Sequence, residues 1–236
     1  MANDNFPIWS VHDVYVQANV IHGYRYLDLC GGLLNLLSDR YRQVNLISPG
    51  GTSLFNPLDM KDPFEIQFES GRIWLHYVGT EAVQKVEKTA PEMIKSIAEK
   101  LGMKEFNRYG VRVRYFIATK NVLEVTDVVT KKLVSPSIAE VVANRRLDVQ
   151  TSLEIPLIFK DLEVILRFRR IVITNPPISP LDYDGDGLLL DIDVGQRSDT
   201  AAFSRHDLAK LMSQAVQAHA ELLVEYGQPL LQGVEL

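Results

Sequence analysis

The stretch Phe64-Glu65-Ile66-Gln67-Phe68-Glu69-Ser70-Gly71-Arg72-Ile73-Trp74-Leu75-His76-Tyr77 decides how this chain builds its sheet. Phe64, Ile66 and Phe68 alternate with Glu65, Gln67 and Glu69, and after the turn Glu69-Ser70-Gly71-Arg72 the apolar set resumes with Ile73, Leu75 and Tyr77. A period of two puts successive side chains on opposite faces of a strand, so the segment reads as a hairpin with one apolar and one polar face. Hairpins pair their strands antiparallel, and an antiparallel sheet with one wet face buries the other. The fold class that follows is α+β: mostly antiparallel sheet with packed helices.

The same reading extends in both directions. Val14, Val16, Ala18 and Val20 alternate with Tyr15, Gln17, Asn19 and Ile21, which predicts a strand over 13–21. Tyr24, Leu27, Cys30, Leu33, Leu34, Leu37 and Tyr41 then recur at three- and four-residue steps, the stripe of an amphipathic helix. Gly31 and Gly32 weaken that helix by about 1 kcal/mol each relative to alanine, and the pair suggests that another element packs closely there. A helix is predicted over 81–101, with Val83, Val86, Met93, Ile94, Ile97 and Leu101 inside, restarted or kinked at Pro91 and stopped at Gly102. Val111, Val113, Tyr115 and Ile117 predict a strand, and Val122–Leu133 a short helix. Leu153–Phe159 and Val164–Val172 form a second hairpin about Lys160-Asp161, and a further strand spans Leu188–Val194. The last helix opens with the capping pattern Ser204-x-x-Asp207 and carries Leu208, Leu211, Ala215, Ala218, Leu222 and Tyr226 inside.

Both halves thus read strand, helix, hairpin strands, helix, with a seam near Phe106. Two organisations fit. One is a duplicated α+β module, with halves 1–105 and 106–236 packed as one compact unit; the other is a single α+β domain whose elements alternate.

The 236 residues are 46% hydrophobic and 23% charged, a globular composition that argues against disorder, collagen-like repeats and coiled coil. A single cysteine, Cys30, excludes an internal disulfide and reads as a small core residue. The net charge of −5 gives no general pull towards nucleic acid. Met1–Pro7 has neither the basic nor the apolar region of a signal peptide, and no stretch approaches the ~18 apolar residues that cross a bilayer. A soluble, cytoplasmic protein with no membrane association is expected.

Three local features bear on function. Asp182-Tyr183-Asp184-Gly185-Asp186-Gly187 with Asp193 matches a calcium loop, in which alternate carboxylates converge on a hard cation. Asp182, Asp184, Asp186 and Asp193 are therefore candidate Ca2+ ligands; Pro176, Pro177 and Pro180 before them, and a strand after them, fit equally an Asp/Gly turn in solvent. Arg112 and Arg114 lie on the polar side of one strand, after Arg108, and Arg167 and Arg169 on the polar side of another. If those strands share a sheet, the four make an anion-binding face, or, with carboxylates such as Glu154 opposite, ordinary cross-strand pairs. No nucleophile elbow, P-loop, zinc-protease or dinucleotide motif occurs, and His12, His22, His76, His206 and His219 show no ligand spacing.

The segments Gly110-Val111-Arg112-Val113-Arg114-Tyr115 and Leu188-Leu189-Leu190-Asp191-Ile192-Asp193-Val194 resemble a sporadically distributed family of uncharacterised prokaryotic proteins. That family is marked by a Gly-Leu-Arg-Tyr-Ile-Asn strand near mid-chain and a Leu-Asp-Ile-Asp strand before a final helix. Here Leu190-Asp191-Ile192-Asp193 stands for the second motif, while Val113-Arg114-Tyr115 occupies the Tyr-Ile-Asn positions of the first. The resemblance implies no particular activity, cofactor or catalytic residue. The expected function is non-enzymatic binding or scaffolding through a protein partner or self-association, with nucleic acid not expected as a partner. The alternative is an enzyme or an anion- or nucleic-acid-binding protein that uses the arginine-bearing face.

Overall fold

A computed structural model describes residues 9–20, 26–38, 41, 43–47, 51–55, 63–118, 132, 153–173, 185–197, 203–204 and 206–231. The hairpin quoted above forms strands β4 (Glu65–Glu69) and β5 (Arg72–Val78), with Glu65 opposite His76 and Phe68 opposite Ile73. Ile66, Phe68, Ile73, Leu75 and Tyr77 are fully buried. The alternation was therefore the face pattern of a real sheet. Strands β1 (Ser10–Val20), β2 (Gln43–Ile47), β3 (Gly51–Phe55), β6 (Glu105–Ala118), β7 (Leu153–Phe159), β8 (Leu162–Ile173) and β9 (Gly185–Arg197) join it in the order β2-β3-β4-β5-β1-β6-β9-β8-β7. A two-residue strand, β10 (Phe203–Ser204), pairs with β6 off that path. Every pairing is antiparallel, and the class is α+β.

The strand order repeats one chain path. After β1 comes the meander β2–β5, whose last strand returns to pair with β1; after β6 comes the meander β7–β9, whose last strand returns to pair with β6. A helix follows each meander: α2 (Ala82–Lys100) and α3 (Leu208–Leu222). The two first strands, β1 and β6, pair with each other, so the sheet continues across the seam. The helices lie on one face. α2 packs against β1 and β5, α3 against β6 and β9, and α2 also meets α3 and α1 (Tyr26–Ser38). Val14, Val16, Val111, Val113, Ile192 and Val194 point into that layer and are inaccessible.

Several local expectations change. α2 runs unbroken through Pro91, which is buried, and stops as expected: Gly102 adopts φ +67°, and the Met103 N–H donates to the Ala98 carbonyl at 2.7 Å. Gly31 and Gly32 do not mark a close approach, because both are exposed and no described atom lies within 4 Å of a β-carbon added at either. Ser204 is not the cap of α3. It sits in β10, its Oγ accepts the His206 N–H at 3.2 Å, and Asp207 at the cap position makes no side-chain cap bond. On α3, Met212 and His219 are buried where the apolar stripe omitted them. The helix expected over Val122–Leu133 lies, apart from the helical Lys132, outside the described residues. No described helix is long and apolar enough to cross a membrane.

His219 has the most unusual setting of these residues. Its Nε2–H donates to the Val111 carbonyl of β6 at 2.8 Å, while Nδ1 is buried with no hydrogen-bond partner among the described residues. Burial pulls its pKa from 6.5 down to about 4, against smaller upward effects of the Val111 bond and Asp191. In the unfolded chain the ring takes a proton near pH 6.5. The folded state resists that proton, so stability falls as pH drops from 6.5 towards 4, by about 3 kcal/mol in all. Urea unfolding at pH 7 and pH 4.5 is expected to show this loss in the wild type and a smaller one in His219→Gln; parallel losses would refute the assignment.

Candidate functional site

No described helix packs on the opposite face of the sheet, where the register draws the charged side chains into rows. Asp13 of β1 lies opposite Arg114 of β6, Arg114 opposite Asp191 of β9, Asp191 opposite Arg167 of β8, and Arg167 opposite Glu154 of β7. Signs alternate along the whole row. Asp13 and Asp191 are buried because longer side chains lie flat over them. Arg114 donates to both Asp13 oxygens, and Arg112, diagonal to Asp191, donates through Nε at 2.7 Å and through Nη2. Such paired forks are the strong form of the arginine–carboxylate contact.

A β-bulge aims Asp13 into this row. The β1–β6 register shifts between Val11 and Asp13, so that Ser10 pairs with Phe116 and Asp13 with Arg114, both on the helix-free face. Burial alone would raise the pKa of Asp13, but His12, His76 and Arg114 around it outweigh burial and hold the carboxyl well below the usual range. His76 stands between two carboxylates, with Nε2 3.3 Å from Asp13 and Nδ1 3.9 Å from Glu65. Burial favours its neutral ring, yet the two carboxylates raise its pKa above the ordinary value. The Tyr15 ring stacks on His76 at 4.3 Å and on Trp74 at 4.8 Å, with the Arg114 guanidinium 4.6 Å from its centroid. Burial and the Asp13 charge both raise the Tyr15 phenol, so the hydroxyl stays protonated.

Beside the ion pairs is a depression of about 310 Å³, lined by Tyr15, Gln17, Trp74, Arg108, Gly110, Arg112, Arg114 and Asp193. Its floor is backbone. Gly110 lies opposite Gly195 on β9, and a β-carbon at Gly195 would come 2.6 Å from the Tyr109 carbonyl, so that approach requires glycine. Asp193 stands at the rim, 3.8 Å from Arg108 and 3.9 Å from Arg167. Burial lifts its pKa above the ordinary value although Arg108, Arg112 and Arg167 pull it down. The hollow therefore offers guanidinium donors, one carboxyl that gains a proton readily, and an aromatic wall.

The four arginines expected to bind anions fall on this one face, but they are not equivalent. Arg112, Arg114 and Arg167 each hold a carboxylate, Asp191, Asp13 and Glu154 respectively, and Arg169 sits further along β8 with its buried Nε unpartnered. Arg108, Tyr15, Trp74, Gly110 and Gly195 were not singled out from the sequence. One signal was present: an aromatic at Trp74 on the polar phase of an alternating hairpin. Of the proposed calcium ligands, Asp182 and Asp184 lie outside the described residues, as does the side chain of Asp186. β9 is an unbroken strand from Gly185, not a loop, and this corrects the set in one respect. Seven residues of strand separate Asp186 from Asp193 by about 23 Å, so the two do not share an ion. Among the described residues no three His, Cys, Asp or Glu side chains converge as metal ligands.

Comparison with protein-family models, curated proteins and solved structures finds no match to this chain. The site is therefore read from its own geometry. Removing one partner of a buried ion pair leaves an uncompensated charge and costs about 3–5 kcal/mol, whereas apolar replacement of both is nearly neutral. Arg112→Met, which leaves the fully buried Asp191 carboxylate without its fork, is accordingly expected to lose about 3 kcal/mol or more in denaturant unfolding. The double variant Arg112→Met/Asp191→Leu is expected to regain most of it, and additive losses would show that the pair is not coupled.

Proposed function

We propose that this is a cytoplasmic binding protein that holds a small anionic ligand on the helix-free sheet face, in the depression floored by Gly110. The depression itself carries the reading. Arg108 and Arg112, with side chains 35% and 37% exposed, border it, and Arg112 commits only Nε and Nη2 to Asp191. The Arg108 contact with Asp193 is long, at 3.8 Å, so its N–H groups are open to a better acceptor. Interleaved carboxylates favour a compact anion over a nucleic acid, whose phosphates need a continuous basic strip. The two segments that carry the family resemblance are the neighbouring strands β6 and β9, joined through Arg112 and Asp191.

Calorimetric titration with inorganic phosphate tests the reading. Arg108→Gln is expected to weaken binding about tenfold, the loss of one charge-assisted hydrogen bond. Gly110→Val is expected to abolish it, because a β-carbon there is accommodated, with its nearest neighbour 3.5 Å away, and the branched side chain then occupies the hollow. Binding by both variants at wild-type strength would exclude this site.

A second reading, association with a protein partner or a second copy, is favoured by the last strand of the sheet path. On β7, Ile158 is 72% exposed. Light scattering across a concentration series is expected to show a dimer that Ile158→Lys dissociates; a monomer at every concentration rules out self-association.

A further inference from the structure

The wall facing the arginines bears on what else the ligand carries. Trp74 lies on the wet face of its hairpin, in a cross-strand row that runs Gln67, Trp74, Gln17, Gly110, Gly195, Glu163. No neighbour in that row covers the indole with apolar surface, and two positions along it carry no side chain at all. Gly195 is glycine for a steric reason, but Gly110 is not: a β-carbon there meets nothing closer than 3.5 Å. Glycine inside a strand weakens it, and where no backbone contact demands it, it leaves a flat place for something to approach closely. The Tyr15 ring, on the strand between Trp74 and β6, stacks on the indole at 4.8 Å with ring planes 29° apart, so the two rings form one wall that is held in place before any ligand arrives.

Resting on the anion-binding reading above, we infer that the ligand is a small aromatic acid whose single planar ring lies over Gly110 against the Trp74 indole, with its anionic group at Arg108 and Arg112. The space of about 310 Å³, at the small end of the range for ligand sites, accommodates one ring with its anionic group. A ring on the indole gains stacking in addition to the area it buries, which corresponds to about tenfold in affinity.

Titration calorimetry with inorganic phosphate, cyclohexyl phosphate and phenyl phosphate separates the contributions. Phenyl phosphate is expected to bind about tenfold tighter than cyclohexyl phosphate, with inorganic phosphate the weakest of the three. Trp74→Leu is expected to bring it within about twofold of cyclohexyl phosphate, while Trp74→Phe, which keeps a ring, retains most of the preference. Circular dichroism confirms that both variants are folded. Equal binding of the cyclohexyl and phenyl esters, or a preference that survives Trp74→Leu, overturns the aromatic inference and leaves the anion site standing. If none of the three binds, the anion-binding reading fails and this inference with it.

Discussion

Two buried carboxylates set the terms for the middle of the sheet. Asp13 and Asp191 are 1% and 0% exposed, and a charge removed from water persists only where a partner compensates it. The partners are Arg114 and Arg112, both on β6, which reach in opposite directions to β1 and β9. A slip of one residue in either pairing would turn those arginines to the helix side and leave each carboxylate alone. The ion pairs therefore fix the register on both sides of β6, at the seam through Asp13 and within the second half through Asp191, while the apolar layer beneath supplies the bulk of the stabilisation.

With the register fixed, the two faces diverge. Beneath the sheet, helices α2 and α3 close over an apolar layer in which His219, the one buried histidine among the described residues, is tied to a strand carbonyl and resists a proton. Above it, the sheet is covered only by its own side chains among the described residues. Where those are arginine, tyrosine or tryptophan the surface is thick; at Gly110 and Gly195 it thins to backbone. The hollow results from that change in thickness along a row, and it needs no loop or domain boundary to form. Asp193 differs from its buried neighbours because it reaches no guanidinium closer than 3.8 Å.

Period-two alternation made the strands, the hairpins and the α+β class readable from the sequence, because burial on one face is a local property of each segment. Arg112, Arg114 and Arg167 were placed on one face for the same reason. Which carboxylate each would meet was not readable, since Asp13 and Asp191 reach Arg114 and Arg112 only through strand order and through a bulge that no pattern announces. Asp/Gly spacing resembles a cation loop, but from Gly185 the backbone runs straight on as β9, a course that the spacing does not announce. Gly195 carried no signal, and Gly110 stood out only as the first residue of a motif segment: a glycine in a strand pattern does not show what lies above it. Gly31 and Gly32 show the converse, a conspicuous pair that nothing described approaches.

The seam also orders the events of folding. The hairpins β4–β5 and β7–β8 close over two residues each, whereas Arg114 and Asp13 are 101 positions apart and Arg112 and Asp191 are 79. Closing a loop costs more entropy as it lengthens, and chains dominated by such distant pairings fold slowly. Each meander can collapse while its future seam edge still carries hydrated charge, which keeps that edge from pairing with the wrong strand. The water leaves Asp13 only when β1 meets β6, and Asp191 only when β6 meets β9. Contacts made that late act chiefly on the reverse reaction: the seam governs how long the folded molecule lasts more than how quickly it arises.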